Sequence, residues 1–386
     1  MAFHEDLFEA AIRKRDLIIS KLKKFIDMYD KDIIKQFNEV QDFSNTKRED
    51  LYRPTKIAGI DGGSLPKSFL GFDLYFIKTY AIRLHLNEEK NEYVRGSTYK
   101  IADIDMLIPP GSLQDRITVY RQVTELRAIL DSLKNNYFTL EDGSAESLIS
   151  RPTHIRPRIL NGLSEYSCED IGKIVNKSFN DEFTSMGIKS LIEEIYEKEK
   201  KSDLNELAFK LELGEKFYYI SEILKEITKG KELFFVTKTG RSNDFFNSSL
   251  SDQYIISMKT KVAGFITRSP LPLSKVVEES KTSFCGVSDL MDEVYLLTGY
   301  ARLENFGPVL KVELLLPKFK AESISDPNKF YYEKLLQISS ISVSGYPYVL
   351  SLAHQEAHIY LKTVEVIVDA LGLGEEPTGR EEIEIL

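Results

Sequence analysis

The sequence predicts an α/β protein in which helices flank one mixed β-sheet. Short apolar, β-branched runs alternate with amphipathic stretches along the 386 residues, a pattern typical of a sheet covered by helices. Hydrophobic residues make up 42% and charged residues 29% of the chain, as in globular proteins with a large core. No apolar run reaches the ~20 residues of a membrane span, and no secretory signal is visible. We therefore expect a cytoplasmic protein with no membrane contact.

The N-terminal third predicts one long helix and then a set of strands. Apolar residues recur at three- and four-residue steps over residues about 4 to 42, which indicates a helix. The uncharged run Ile57 to Ile60 predicts a buried strand that ends at Asp61. Two runs rich in Tyr, Phe, Ile and Val predict a hairpin of two long strands, Phe69 to Leu86 and Glu92 to Ile108.

The rest of the chain alternates helices and strands. Ser112 is expected to cap a helix that runs to about Asn135. Residues 163 to 230 are helical in pattern and highly charged, which favours a solvated helix face or a cap inserted into the domain. The predicted strands are Tyr137 to Leu140, Leu233 to Thr237, Val294 to Leu303 and Val309 to Leu316. The final predicted helix runs from Pro347 to about Leu371.

This element order predicts a ribonuclease-H-like mixed sheet flanked by helices, with an N-terminal helix and a charged helical insertion. In that topology the first and fourth strands are neighbours, so Asp61 and Asp142 would lie side by side and Glu125 would lean over them. We expect an N-terminal helical segment at 1–50 and one domain at 51–371, with the insertion at about 163–230. The remaining residues, 372–386, are expected to form an acidic tail.

Two acidic corners carry the chemistry of this prediction. Asp61 is followed by Gly62-Gly63-Ser64, and Asp142 by Gly143-Ser144, so small residues leave space beside each carboxylate. Three close carboxylates repel one another unless a cation lies among them, and Mn²⁺ or Mg²⁺ is suited to oxygen ligands. Such ions can activate water against a phosphodiester. The alternatives are that Asp61 only caps a turn and that Glu125 is a surface residue paired with Arg121.

The last predicted helix holds two histidines four residues apart, His354 and His358. A zinc-protease motif is excluded because Gln355 and Ala357 stand where that motif and its inverted form need glutamate. Next to the acids, His354 could ligate Mn²⁺ or exchange protons, but a structural role is equally open. Tyr346 could stack on bases or pack in the core.

Local basic groups would allow an acidic protein, of net charge −9, to bind DNA. Arg151, Arg156 and Arg158 follow the Asp142 corner, and Lys238 and Arg241 follow another strand. Each could contact phosphate, although ordinary surface charge is the alternative for any single one.

Cys168 and Cys285 are the two cysteines of the chain, and neither lies in a Cys-x-x-Cys pair. That spacing argues against a zinc ribbon and against a disulfide scaffold. A reducing intracellular setting is the expectation.

Taken in order, these motifs resemble the NurA nucleases, which act with a HerA-type hexameric DNA translocase in archaeal DNA-end resection. The resemblance covers about residues 50 to 365. Its pieces are Gly59-Ile60-Asp61-Gly62-Gly63-Ser64, Glu125, Asp142-Gly143-Ser144, Lys238, Ser251-Asp252, Gly345-Tyr346-Pro347-Tyr348 and Ala353-His354.

The resemblance implies manganese dependence, a homodimer and a ribonuclease-H-like core. It also implies that Asp61, Glu125 and Asp142 are metal-site acids, that His354 is a ligand or proton shuttle, and that Tyr346 positions the scissile phosphate. The implied activity is 5′-to-3′ exonuclease action on DNA and endonuclease action on single strands, in the repair of double-strand breaks by homologous recombination.

Two other functions compete with this interpretation. A kinase-like enzyme of the actin and hexokinase superfamily would also place an acid and glycines after a first strand, but it needs a second Gly-Gly motif. Gly62-Gly63 is the one Gly-Gly pair in the chain. A non-catalytic partner of a DNA motor would be expected to lack the acids, and they are present.

Overall fold

The computed structural model of the protein describes residues 5–27, 37–40, 43, 53–150, 166–199, 204–243, 245–277 and 284–374. Its strands are β1 Asn38–Glu39, β2 Lys56–Ser68, β3 Asp73–Asn87, β4 Glu92–Arg95, β5 Tyr99–Met106, β6 Phe138–Glu141, β7 Leu233–Thr237, β8 Gly264–Thr267, β9 Leu271–Pro272, β10 Val294–Arg302, β11 Val309–Pro317, β12 Ser342–Val343 and β13 Tyr346–Pro347. Its helices are α1 Glu5–Asp27, α2 Leu113–Lys134, α3 Ala145–Ile149, α4 Cys168–Val175, α5 Lys189–Glu199, α6 Leu204–Thr228, α7 Asp252–Lys259, α8 Leu273–Val276, α9 Val287–Glu293, α10 Lys318–Glu322, α11 Pro327–Ser339, α12 Tyr348–Ala357 and α13 Leu361–Ala370.

An 11-stranded mixed sheet organises the described part of the chain, which confirms the predicted α/β fold. The strand order is β1-β8-β10-β11-β7-β6-β2-β3-β4, with β5 also paired to β3 and β9 to β10. β6 is parallel to both β2 and β7, and the other pairs in the sheet are antiparallel. The first and fourth predicted strands, β2 and β6, are therefore neighbours, as expected.

Helices cover both faces of this sheet, and each face has its own apolar core. On one face α2 and α6 pack over strand residues such as Ile60 and Phe235. On the other face α12 packs over residues such as Leu140 and Phe234. Because side chains alternate along a strand, the consecutive residues Ile60 and Asp61 within β2 point to different helices.

Several predicted elements differ from the structure in extent. The N-terminal helix ends at Asp27 and not near residue 42, because Asn38–Glu39 pairs with β8 as a strand. The second predicted β-run is divided into β4 and β5, which pair with different parts of β3. The last helix is interrupted at His358, whose backbone is extended. Ser112 makes no side-chain capping bond, because its backbone is left-handed with φ 50°.

The charged insertion is not a solvated helix face throughout. In α6, Glu212, Glu215 and Lys216 are fully buried, because this helix packs along α2 in the core. The side chain of Arg116 pairs with Glu212 at 2.6 Å, and both are buried. The sequence pattern misassigned these residues because their partners lie far away along the chain.

A disulfide joins Cys168 to Cys285; the cysteine spacing argues only against a disulfide scaffold, and it does not predict this single bond. The disulfide connects the start of α4 to the turn before α9 across 117 residues of sequence, with the Cα atoms 5.1 Å apart. Short-range cysteine spacing could not have predicted a bond between such distant residues. None of the helices in the described ranges is long and apolar enough to cross a membrane.

Candidate metal centre

Three side chains that could ligate a cation meet at one edge of the sheet: Asp61, Asp142 and His354. One possible ligand atom from each lies within 4.8 Å of those of the other two. Asp61 is the sixth residue of β2, and its Oδ1 accepts a hydrogen bond from the N–H of Gly62 at 2.8 Å. Its Oδ2 lies 2.7 Å from Nδ1 of His354. These contacts fix the carboxylate with one oxygen toward the helix and one toward its own backbone.

A close approach of α12 to β2 places the histidine. At Gly59 a side-chain Cβ would lie 2.8 Å from backbone atoms of Val349, so only glycine allows this packing distance. Val349 begins the first turn of α12, and Ala353 is buried on the same face one turn later. His354 follows and reaches Asp61 at the strand edge. The glycine before Asp61 therefore sets the distance between the helix and the acid.

The second acidic corner is tied to the first by the backbone. The N–H of Asp142 donates to the carbonyl of Ile60 at 3.0 Å, which extends the parallel pairing of β2 and β6 by one bond. Nζ of Lys238 lies 3.0 Å from Oδ2 of Asp142 and 4.1 Å from the centre of the Tyr346 ring. The ammonium of Lys238 thus occupies a position where positive charge is favoured by both the carboxylate and the ring.

Burial and mutual repulsion perturb the acids of the centre. The pKa of Asp61 is raised, first by burial and then by Asp142, and the contact with His354 opposes this rise. A divalent cation bound here would oppose both effects, because its positive charge favours the ionised form of each carboxylate. The donor set of two carboxylates and one imidazole suits Mn²⁺, which accepts oxygen and imidazole ligands.

Glu125 lies beside this cluster on the other face of the sheet. It is only 2% exposed, and a Cβ at Gly62 would lie 2.5 Å from its Oε1, so the glycine makes room for the carboxylate. Its Oε1 accepts a bond from Arg121 at 2.9 Å. Burial raises the pKa of Glu125 to about 7, Arg121 opposes the rise, and Asp61 adds to it. The predicted pair with Arg121 is present, but the residue is buried and not on the surface.

Glu141 is a further acid that the sequence analysis did not single out. It is 3% exposed, and within the described part of the chain its buried Oε2 has no hydrogen-bond partner. Burial raises its pKa well above the ordinary range, and Glu125 and Asp142 add to the rise. The signal was available in the sequence, because Glu141 directly precedes Asp142 at the end of a strand. Its side chain points to the α2 face, next to Glu125, whereas Asp142 lies in the turn that follows β6.

Tyr346 packs in the core of the α12 face, which is one of its two predicted alternatives, and its ring lies against Nζ of Lys238. It is 8% exposed, and burial together with Asp142 raises the pKa of its phenol. The phenol therefore keeps its proton over the ordinary pH range. A protonated phenol can donate a hydrogen bond, which an anion at this edge would accept.

The predicted basic residues divide into three groups. Lys238 is part of the centre, and Arg241 is exposed in the loop that follows β7. Arg151, Arg156 and Arg158 lie outside the described residues.

His358 does not join the three-residue cluster; its ring centre is 6.2 Å from that of His354.

A family model described as the NurA domain matches residues 55–359. The chain belongs to the NurA family. This range contains Asp61, Glu125, Asp142, Tyr346 and His354. The match favours the nuclease interpretation over the kinase-like one, because it covers most of the chain with a single domain.

Curated NurA proteins are similar to nearly the whole chain. A "Probable DNA double-strand break repair nuclease NurA" of Methanocaldococcus jannaschii is 25% identical over 390 aligned positions, which cover 97% of this chain and 91% of that protein. The "DNA double-strand break repair nuclease NurA" of Saccharolobus solfataricus is 24% identical, over 82% of this chain and 80% of that protein.

Crystal structures of NurA proteins share the fold. The NurA nuclease from Sulfolobus solfataricus superposes with a TM-score of 0.66 at 18% identity, covering 96% of this chain and 97% of that chain. A NurA structure bound to dAMP and manganese superposes with a TM-score of 0.63 at 14% identity, covering 94% of this chain and 97% of that chain. The mixed sheet with flanking helices is therefore the NurA fold; its assignment to the ribonuclease-H-like class stays a prediction.

Proposed function

We propose that this protein is a divalent-metal-dependent DNA nuclease that degrades DNA ends in the 5′-to-3′ direction and cuts single strands internally. One observation carries the proposal: Asp61, Asp142 and His354 place their ligand atoms within 4.8 Å of one another, inside the matched NurA domain. The names of the relatives, which call them DNA double-strand break repair nucleases, support the substrate class.

The proposed cofactor is Mn²⁺, with Mg²⁺ as a possible substitute. Asp61, Asp142 and His354 would hold it, with Glu125 beside them. When bound, the cation supplies positive charge to the scissile phosphate and lowers the pKa of water. The donor set fits this group because two of the three ligands are carboxylates, which repel one another without a cation. The manganese-bound NurA structures support the choice of metal.

Three side chains of the protein itself would handle the substrate. Lys238 lies against Asp142, so its ammonium is placed to contact a phosphate oxygen once a cation has taken over the charge of that acid. Tyr346 keeps its proton and would donate a hydrogen bond to the same phosphate. The side chain of His354 is 57% exposed, so it can ligate the cation or exchange protons with solvent.

Basic residues that follow two strands along the chain are proposed to contact the DNA backbone. Arg241 follows Lys238 in the loop after β7, and Arg151, Arg156 and Arg158 follow the Asp142 corner in the chain. Replacing Arg156 and Arg158 with alanine should weaken DNA binding and flatten its salt dependence, since each phosphate contact contributes to the slope. An unchanged slope would count against their role.

The proposed setting is DNA-end resection in the cytoplasm, where a homodimer of this chain works with a HerA-type hexameric ATPase. This part of the proposal rests on the family resemblance. The nuclease domain would span residues 51–371, with an N-terminal helical segment at 1–50 and an acidic tail at 372–386.

The test of the proposed function is incubation of the purified protein with end-labelled single- and double-stranded DNA. One series contains Mn²⁺ and a second contains chelator. The Asp61→Asn and Asp142→Asn variants are compared with Asp289→Asn, which changes an exposed acid outside the site. We expect Mn²⁺-dependent cleavage by the parent and by Asp289→Asn, and none by the other two. Cleavage by Asp142→Asn at the rate of the parent would refute the shared site.

A further inference from the structure

A cavity lies on the α2 face of the sheet, at the end of the sheet where Asp142 follows β6, and none of the residues described above as metal ligands lines it. Asp61 and His354 lie on the opposite, α12 face of that end. The volume of the cavity is about 270 Å³, and β10, β11, α3, α7 and α8 contribute to its wall. We propose that it binds one unstacked nucleotide of the DNA strand that is being cut. This inference rests on the proposed nuclease function.

The floor of the cavity offers hydrogen-bonding groups suited to the edge of a base. Thr298 and Tyr300 of β10 stand directly opposite Glu313 and Lys311 of β11, so all four side chains share one face of the sheet. Nζ of Lys311 lies 2.8 Å from Oε1 of Glu313, and both residues are buried. The hydroxyl of Tyr300 donates to Oδ2 of the lining acid Asp252 at 3.2 Å. The floor is therefore a row of paired polar groups, which suits a polar ligand and not an apolar one.

One wall forms a flat, positively charged platform. The guanidinium of Arg268 lies 4.1 Å from the centre of the Phe245 ring and also donates a hydrogen bond to the carbonyl of Phe245. The edge of Tyr300 packs against the same ring, with centres 5.6 Å apart. Guanidinium planes and aromatic rings are the surfaces on which unstacked bases are held.

The rim of the cavity carries the charge that a phosphate requires. Arg268 and Lys275 are exposed, so their cationic groups can be reached from solvent. Glu146 also lies on the rim, opposite in sign. The volume is near the lower end of the range for small-ligand sites. It therefore suits one mononucleotide unit and not a longer ligand.

Hydrogen bonds tie the loop after Asp142 to the strands that carry this cavity. The N–H of Ala145 donates to Oε2 of Glu313 at 3.1 Å, three residues after Asp142. The hydroxyl of Thr237 donates to the carbonyl of Gly143 at 2.6 Å, and Lys238 follows directly. In this proposal, a DNA strand whose phosphate lies at Asp142 and Lys238 passes over residues 143–145 at the end of the sheet and places a neighbouring nucleotide at the cavity.

The test uses the protein with Asp61→Asn, so that DNA is bound without being cut. Affinity for a single-stranded oligonucleotide is measured for this protein, for a version with Arg268→Ala and Lys275→Ala, and for a control with Lys261→Ala and Lys329→Ala. The two double changes remove equal charge, so a general electrostatic effect would be the same in both. We expect the first to lower affinity about tenfold, the effect of losing one stacking contact, and the control to stay within about twofold.

Photocross-linking then locates the nucleotide. Oligonucleotides with a single 5-iodouracil at successive positions are irradiated, and the modified peptide is mapped. We expect one position to react with Phe245 or Tyr300. Equal affinities of the two double variants, or cross-links that avoid both residues, would overturn the proposal. If Arg268→Ala does not fold, Lys275→Ala alone, at an exposed residue, should still lower affinity about threefold, and an unchanged affinity would refute the proposal.

A titration with free dAMP in chelator separates two sources of the same chemistry. Binding of dAMP that depends on Arg268 and Lys275, with oligonucleotide affinity unaffected by them, would overturn the assignment to the DNA strand in favour of a free nucleotide. The failure of this inference is distinguishable from failure of the proposed function. In the first case the parent still cleaves DNA with Mn²⁺, and in the second it does not.

Discussion

The buried carboxylate of Glu125 should make the stability of the metal-free protein depend on pH. Its pKa is raised to about 7, with burial as the main cause. A group whose pKa is higher in the folded than in the unfolded state stabilises the fold at low pH, where both states hold the proton. That stabilisation is lost as pH rises through the folded value. The affected window therefore runs from about pH 4.5 to above pH 7.

The magnitude follows from the two pKa values. The ordinary value for a glutamate is 4.5, and the folded value is about 7; one pKa unit corresponds to about 1.4 kcal/mol. The folded protein should thus lose on the order of 3 kcal/mol of stability across the window because of this residue. Glu125→Gln removes the titration while it keeps the shape and a hydrogen-bond acceptor for Arg121.

The assay is urea unfolding in chelator at pH 5 and at pH 8. At pH 5 the variant and the parent should have similar free energies of unfolding. At pH 8 Glu125→Gln should be the more stable by on the order of 3 kcal/mol. Glu365→Gln, at an exposed position on α13, controls for the loss of one surface acid. A difference between Glu125→Gln and parent that is the same at both pH values would refute the reasoning.

Three further predictions concern the fold around the site. Cys168→Ser should lower the free energy of unfolding by up to about 5 kcal/mol, because the disulfide closes a loop of 117 residues; urea midpoints unaffected by the change or by reductant would contradict this. Gly62→Ala should displace Glu125 and weaken Mn²⁺ binding at least tenfold, as measured by calorimetry. The control Gly71→Ala, where a Cβ meets nothing within 4 Å, should leave the affinity unchanged. Equal affinities of the two variants for Mn²⁺ would refute the packing argument. Arg116→Leu should cost about 3–5 kcal/mol because it leaves the Glu212 charge buried and unpaired, and a thermal melt identical to that of the parent would exclude a structural role for the pair.

The convergence of the two acids could be predicted from sequence, because the element order makes β2 and β6 neighbours. The predicted end of the first strand at Asp61 was wrong, since β2 continues to Ser68 in its pairing with β3. Asp61 and Asp142 needed no knowledge of side-chain packing. His354 was harder, since its position depends on how closely α12 approaches Gly59. Glu141 was missed although it is adjacent to Asp142. Its side chain points to the α2 face, and its relation to the site follows only once Glu125 is known to lie on that face.

Long-range partners explain the remaining failures. The charged pattern of α6 indicated a surface helix, but Glu212 finds Arg116 across 96 residues of sequence, and Lys216 donates to Gln122 across 94. The disulfide joins residues that are farther apart still. The periodicity of a sequence shows which residues are charged but not which residues they pair with. Residues of buried ion pairs were therefore predicted to be exposed. The boundaries of β4 and β5 likewise depend on which part of β3 each strand pairs with.

The most direct test of the metal centre is a Mn²⁺ titration followed by electron paramagnetic resonance, in which the signal of free Mn²⁺ disappears on binding. The parent and Asp289→Asn should bind Mn²⁺ with equal affinity. Asp142→Asn should bind it at least tenfold more weakly, because one of three ligands loses its charge. Binding by Asp142→Asn that matches the parent would contradict the assignment of Asp61, Asp142 and His354 as the metal centre.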